Sequence, residues 1–425
     1  MKERRVLKGN IIYSPQMGEL KVLENGFLVY EGDEIVGAYE RLPQEHAQLQ
    51  CEDYGNRLII PGMVDLHVHA PQYPFRGTGM DLELLDWLEQ FTFPEEARYC
   101  SDDYAQKAYE IFTDDLKKSP TTRACIFATL HRRATLILMD MLEKSGLYTM
   151  VGKVNMDRNC PDYLKESSAE ESAVETVEWL KDVFHRNYKR TAPILTPRFV
   201  PSCSDELLEK IKMIQMRFQL PVQSHLSENK KEIQWVKELC PWSEFYGDAY
   251  DRFGLFGGDA ETIMAHCVHS GDEEIQRMKE NGVYVAHCPE SNMNLSSGIA
   301  PVRRYINEGI RVGLGSDVAA GSSLNLFWSM AHAIQSSKLR WRLVDDSLKP
   351  LTFAEALYIG TKGGGEFFGK VGSFEKGYQA DIVVIDDSRL KTPSEQTPLQ
   401  RLERIVYVSD NREIYAKYIG GTHIF

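Results

Sequence analysis

The sequence has no run of about eighteen apolar residues, and its first residues, Met1-Lys2-Glu3-Arg4-Arg5, lead into no hydrophobic segment. It therefore predicts neither a membrane-spanning helix nor an exported chain, and points to the cytoplasm. Paired cysteine motifs are missing as well. The eight cysteines are scattered between Cys51 and Cys288, and none is spaced C-x-x-C, which excludes a zinc knuckle and a thioredoxin-like motif. In a chain of 425 residues they read as reduced core thiols rather than a disulfide framework. Basic charge is in deficit: 49 Lys and Arg against 62 Asp and Glu leave a formal charge of -13. That argues against a nucleic-acid partner, which calls for an excess of Lys and Arg, and is explained by solubility. No internal repeat and no low-complexity linker interrupts the chain.

What is present is a long alternation of strand-like and helix-like segments. Val6–Tyr13, Gly26–Tyr30 and Ile35–Tyr39 read as short strands between turn residues. Eight strand-like ends follow: Val64–His69, Ala124–Leu130, Tyr148–Asp157, Pro193–Val200, Pro221–His225, Thr262–His266, Gly282–His287 and Arg311–Asp317. Helical stretches lie between them, among them Asp81–Phe91, Ala169–Asn187, Ser204–Phe218, Glu228–Glu238, Asp272–Asn281 and Leu324–Leu339, with Ser204 and Ser227 as caps. The tail returns to β structure at Gly377–Ile385, Arg404–Val408 and Ile414–Ile419. Eight strand–helix units predict an α/β fold with a TIM-like (β/α)8 barrel over 61–370. Segments 1–60 and 371–425 are expected to form a small composite β-sandwich beside it. A doubly wound open sheet is the alternative. The barrel is preferred because the chemically interesting residues spread over many strand ends, which only a closed barrel brings to one mouth.

Those residues form a constellation. In Ile60-Pro61-Gly62-Met63-Val64-Asp65-Leu66-His67-Val68-His69, side chains at i and i+2 share a face, so His67 and His69 project together. A lone H-x-H is more often structural than metal-binding. Here, however, His225 ends the fifth strand, His266 the sixth and Asp317 the eighth. His67, His69, His225 and Asp317 make an N3O donor set for one divalent ion with a position left for water. Glu228, three residues past His225, is placed as general acid/base. His266 and Asp317 would manage the reacting water or the developing oxyanion. His269, His287 and His131 carry weaker signals. A bridging modified lysine at Lys153 is disfavoured, because the histidines and Asp317 already satisfy one ion.

This set resembles the amidohydrolase superfamily from about residue 58 to 385. Within it, several strings are similar to the guanine deaminase family: Pro61–Tyr73, Leu84-Leu85-Asp86-Trp87-Leu88 with Phe93-Pro94, Met156-Asp157-Arg158-Asn159, Thr196-Pro197-Arg198-Phe199, Ser224–Asn229 and His287-Cys288-Pro289-Glu290-Ser291-Asn292. Ser316-Asp317 and Ser119-Pro120 depart from the family pattern without touching the donor set. The resemblance implies hydrolysis of guanine to xanthine and ammonia in purine catabolism, with Glu228 as proton shuttle. It also implies one zinc per chain, a homodimer, and a substrate wall of His69, Ala70, Pro71, Gln72, Arg198, Phe199 and His225. The same donors would accept iron or manganese. Arg198 offers forked donors to the paired acceptors O6 and N7, and Gln72 suits an amide edge. The other zinc deaminase signature, H-x-E with P-C-x-x-C, is absent. Two alternatives stand beside this one: a related hydrolase acting on 8-oxoguanine, a pterin or a cytosine-like base, and a non-catalytic scaffold.

Overall fold

The computed structural model describes residues 3–425. Eight parallel strands lie next to one another in chain order: Met63–His69, Thr121–Phe127, Tyr148–Gly152, Thr191–Pro193, Val222–Leu226, Thr262–His266, Tyr284–His287 and Arg311–Leu314. The eighth pairs back onto the first at Leu314 and Asp65. The fourth closes onto the fifth through Leu195, whose N–H donates to Pro221 O at 2.9 Å and whose carbonyl accepts from Gln223 N at 2.9 Å. The sheet is therefore a closed (β/α)8 barrel, and the open sheet is excluded. Each strand is short, and the first is buried along its whole length. An all-buried parallel strand reads as a near-continuous apolar run, and here only Asp65 interrupts it before the imidazoles.

The terminal segments meet in one seven-stranded mixed sheet. It takes Arg4–Tyr13, Lys21–Glu31, Glu34–Tyr39 and Cys51–Pro61 from the N-terminal side, and Ile382–Ile385, Ile414–Ile419 and Thr422–His423 from the C-terminal side. The sheet curls so that its edge strand Glu34–Tyr39 meets the segment leading into Ile382–Ile385. Ile35 N donates to Tyr378 O at 2.7 Å, and Ala380 N to Asp33 O at 2.7 Å. A sandwich-like core of its own results, with Leu7, Leu28, Ile59, Ile382 and Tyr418 buried inside.

Three local expectations change. Arg404–Val408 is not a strand but the end of a helix, Pro398–Val408. Thr397 caps it in a box with Gln400, Pro398 takes the first turn, and Leu402, Ile405 and Val406 turn to the core at three- and four-residue spacing. Those start signals outweigh the β-like run Ile405-Val406-Tyr407-Val408. A helix at Asp102–Lys118, capped by Ser101, adds a long element where none was expected. The helix after the fifth strand begins at Lys230 and is capped by Asn229 with Glu232, not by Ser227. That one shift frees Glu228 from the helix.

One buried ion pair joins the two parts. Asp381 Oδ2 accepts from Arg123 Nε at 2.6 Å, and Asp381 Oδ1 from Gly420 N at 2.8 Å. The Asp381 carbonyl accepts from Gly62 N at 2.9 Å, just before the first barrel strand. Breaking one half of a buried pair leaves an uncompensated charge, which costs about 3–5 kcal/mol. Asp381→Ala is expected to lower unfolding free energy in urea by that amount, and a loss under about 1 kcal/mol would show the pair to be dispensable.

Candidate active site

The donor residues stand at the C-terminal mouth of the barrel. His67 and His69 alternate along the first strand, His225 lies next to last in the fifth, and His266 ends the sixth. Asp317 lies in the loop that leaves the eighth strand after Leu314, tied down by a bond from its N–H to His67 O at 2.9 Å. Backbone strain gathers here. Ser227, His266, Cys267 and Asp317 all adopt left-handed φ, at 46°, 72°, 49° and 47°. Non-glycine residues hold that conformation only where surrounding structure imposes it, and such positions concentrate at functional sites.

Beneath the mouth, Asp65 ties the strand that carries His67 to the loop that carries Asp317. Its Oδ1 accepts from His67 N at 3.1 Å and Ser316 N at 3.0 Å, and its Oδ2 from Ser316 Oγ at 2.5 Å. The serine preceding Asp317 therefore keeps a hydroxyl with a definite partner.

The donor atoms converge. His67 Nε2 stands 3.1 Å from Asp317 Oδ1, and His69 Nε2 3.6 Å from the same oxygen. His69 Nε2 faces His225 Nε2 at 3.2 Å. Both ring nitrogens of His67 and the Nδ1 of His69 are buried without a hydrogen-bond partner. Unpaired buried nitrogens are costly, and lone pairs that face each other repel unless a cation lies between them. His225 Nδ1 donates to Arg198 O at 2.7 Å, which leaves its Nε2 lone pair pointing at the cluster. Burial holds His67, His69 and His225 below the ordinary histidine value, in the neutral form that binds metal. Burial disfavours charge on Asp317, but His67, His266 and His69 outweigh it and hold the carboxyl below its usual range. The donor set thus fits one divalent cation.

Glu228 and His266 face this cluster from one side. His266 Nε2 lies 3.5 Å from Glu228 Oε2 and 3.7 Å from Asp317 Oδ2. Its Nδ1–H donates to Asn292 Oδ1 at 2.9 Å, which fixes the ring. Burial opposes protonation of His266, yet the carboxylates of Glu228 and Asp317 raise it above its ordinary value. Burial pushes the Glu228 carboxyl up to about 7. Glu228 Oε1 accepts from Ser297 Oγ at 3.0 Å, and its backbone N–H is held by Glu232 Oε2 at 3.1 Å. A buried carboxyl near neutral pKa can both take and give a proton.

These groups open onto a cavity at the barrel mouth with one polar and one apolar wall, the usual character of a small-molecule site. Its polar wall carries His69, Gln72, Arg198 and His225, and its apolar wall Leu84, Trp87, Leu88, Phe199 and Leu295. Ala70 and Pro71 sit in the buried turn Ala70–Phe75, behind the surface that faces the cavity. Phe199 faces the cavity and lies edge-on to Trp235 at 6.4 Å.

A sequence profile of the amidohydrolase family matches residues 58–424. The chain belongs to the amidohydrolase family. It is 35% identical to a guanine deaminase of Dictyostelium discoideum, over 99% of this chain and 98% of that protein. To a guanine deaminase of Escherichia coli it is 32% identical, over 96% and 92%. Among solved structures it is similar to a guanine deaminase from C. acetobutylicum with guanine bound in its active site. There the identity is 47%, the TM-score 0.96 and the coverage 100% of both chains.

Several residues of this amidohydrolase site escape sequence reasoning. Glu96 is the foremost: Arg198 Nη1 donates to its Oε2 at 2.6 Å and Arg198 Nη2 to its Oε1 at 3.1 Å. In Pro94-Glu95-Glu96 two acids adjoin, and only the turn of the helix Phe93–Ala97 decides that Glu96 is the buried one. Ser297 carries no signal beyond its proximity in space, while Asn292 ends the string His287–Asn292 and Glu232 completes the cap pattern of Asn229 without either marking a role at the site. The weaker histidines do not join the donors. His269 Nε2 bonds to Ser297 O at 2.7 Å, and His287 is buried at the end of the seventh strand. His131 starts the helix Arg132–Ser145. Lys153 Nζ is bonded to Glu166 Oε1 at 2.5 Å, away from the cluster.

Proposed function

We propose that the chain hydrolyses guanine to xanthine and ammonia in purine catabolism. The observation that carries this reading is the meeting, in one cavity, of the donor cluster, the near-neutral Glu228 and the Arg198–Gln72 wall. The likeness to guanine deaminases along the whole chain supports it.

His67, His69, His225 and Asp317 would hold the ion, and zinc suits three neutral imidazoles with one carboxylate. A divalent cation on these donors lowers the pKa of water, so that a nucleophile is available near neutral pH. Glu228 takes a proton from the attacking water. It passes one to a ring nitrogen as C2 becomes tetrahedral, and then serves the departing amine, so that water and guanine leave as xanthine and ammonia. His266, steered by Asn292, lies against both Glu228 and Asp317 and offsets their charge as the proton moves. Arg198 and Gln72 orient the base by its carbonyl edge, with His69, Phe199 and His225 around the ring and the turn Ala70-Pro71 behind them.

The test is ammonia release from guanine, 8-oxoguanine, a pterin and cytosine by zinc-loaded protein. Guanine is expected to give the highest kcat/KM, and a preference for another base would move the assignment to that base. Arg198→Ala is expected to raise KM for guanine by about 100-fold, since a charged hydrogen bond is lost and Glu96 is left unpaired. An unchanged KM would place base reading elsewhere.

Two further features belong to this reading. The cysteines are all free, which suits a reducing, cytoplasmic compartment. Phe184, Met213 and Met216 are half or more exposed on the adjacent helices Ala169–Arg186 and Asp205–Phe218, an apolar face that suits a second copy. Sedimentation equilibrium at twice the chain mass is the expected result, and a monomer at micromolar concentration would contradict it.

A further inference from the structure

The polar wall of the cavity is not free to take any shape. Glu96 is buried at 2% exposure, and it stands behind the wall rather than in it. It accepts from both terminal nitrogens of Arg198, at 2.6 and 3.1 Å. Its Oε1 also accepts from Gln72 Nε2 at 3.0 Å. Gln72 Oε1 in turn accepts from Ala319 N at 3.4 Å. A carboxylate only accepts and a backbone N–H only donates, so this chain leaves the Gln72 amide one orientation.

Two consequences follow for a ligand. Arg198 is itself buried at 3% exposure and stays charged, so it needs a counter-ion inside the protein. Glu96 supplies it, and the wall meets the ligand as a neutral unit with no call for an anionic base. Second, a guanidinium has only donors, and Glu96 takes part of them, one from each terminal nitrogen. What remains of Arg198, together with the second hydrogen of the Gln72 amide, is a set of N–H groups. The wall therefore offers donors, and the ligand edge that fits it carries acceptors, such as a carbonyl oxygen beside a ring nitrogen.

We infer that Glu96 is a positioning residue that sets base selectivity, by locking Arg198 and Gln72 into a donor array that accepts a 6-oxopurine and rejects a 6-aminopurine. The inference rests on the guanine reading above. It differs from a direct role for Arg198 alone, because it assigns the discrimination to a carboxylate that touches no substrate. A base with an amino group at position 6 sets donor against donor, and a buried site of this kind penalises such a mismatch heavily.

The experiment compares guanine with 2,6-diaminopurine, which has the same 2-amino leaving group and an amino group in place of the 6-oxo group. It uses the zinc-loaded full chain, Glu96→Gln and Glu96→Asp, with metal content measured for each. In Glu96→Gln the new amide must turn a donor toward Arg198 or Gln72, and the array loosens. KM for guanine is expected to rise about tenfold or more with kcat within about threefold, at unchanged metal content. The kcat/KM preference for guanine over 2,6-diaminopurine is expected to fall about tenfold. Glu96→Asp keeps the charge but withdraws it by one methylene, and is expected to lie between wild type and Glu96→Gln. Should Glu96→Gln not fold, the shift in the ratio for folded Glu96→Asp decides the matter. An unchanged preference, or a loss confined to kcat, overturns the role of Glu96. A wild-type protein inactive on guanine overturns the substrate reading and this inference with it, whereas an active wild type whose variants keep the ratio overturns this inference alone.

Discussion

Glu228→Gln is expected to keep its metal and lose on the order of 10²–10⁴ of kcat, the usual weight of a positioned acid/base. The substitution preserves shape. The Gln amide oxygen can still accept from Ser297 Oγ, and the backbone N–H at 228 is still held by Glu232. The substitution leaves the four proposed donors in place, and the ion-pair partner it alters is His266, 3.5 Å from Glu228. What is lost is a carboxyl that burial holds at about 7, able to take a proton from water and return it. KM should change little by comparison, since the Arg198–Gln72 wall proposed to hold the base is unchanged. The check is steady-state ammonia release with metal analysis on the same sample. A variant with full metal and near wild-type kcat would remove the proton shuttle from the scheme.

Asp317→Asn is expected to do more, because it strikes the ion and the water together. Among the described residues Asp317 is the carboxylate that reaches all three of His67, His69 and His266, at 3.1, 3.6 and 3.7 Å. Its backbone N–H bond to His67 O survives the change, so the loop should hold its place. Loss of a metal-supporting partner costs roughly 10–100-fold in affinity, and loss of the anionic donor itself should exceed that. Metal content below one per chain after dialysis, and kcat down by on the order of 10³ or more, are the expected readings. Full metal content with intact turnover would show that Asp317 serves only to cap its loop.

The barrel and the side chains that gather at its mouth are legible in the sequence because each depends on local periodicity. His67 and His69 share a face through the two-residue repeat, and the other donors recur at the ends of later apolar runs. Closure then brings them together without further information. What lies outside that logic is set by tertiary packing. Glu96 and Glu95 are equivalent in the sequence and differ only in which way one short helix turns. Ala70 and Pro71 adjoin His69 in the chain, but the turn that follows the strand carries them behind the wall. Asn229 rather than Ser227 caps its helix because Glu232 completes the box, a pairing visible in Asn229-x-x-Glu232 but masked by the serine. The β-like run ending at Val408 is helical because Thr397 and Pro398 start it and the barrel-side core accepts its apolar stripe. Fork geometry suggests that Arg198 reads the base with both terminal nitrogens, yet Glu96 already engages each of them.

The most direct test of the account is the ultraviolet spectrum of guanine incubated with the purified chain, with ammonia counted in parallel. It is run as isolated, after chelation, and after zinc is returned. Conversion to xanthine with one ammonia per guanine, lost on chelation and restored by zinc, is the expected result. Persistent conversion by fully metal-free protein would contradict the role of the donor cluster. No conversion by protein carrying one zinc per chain would contradict guanine as the substrate.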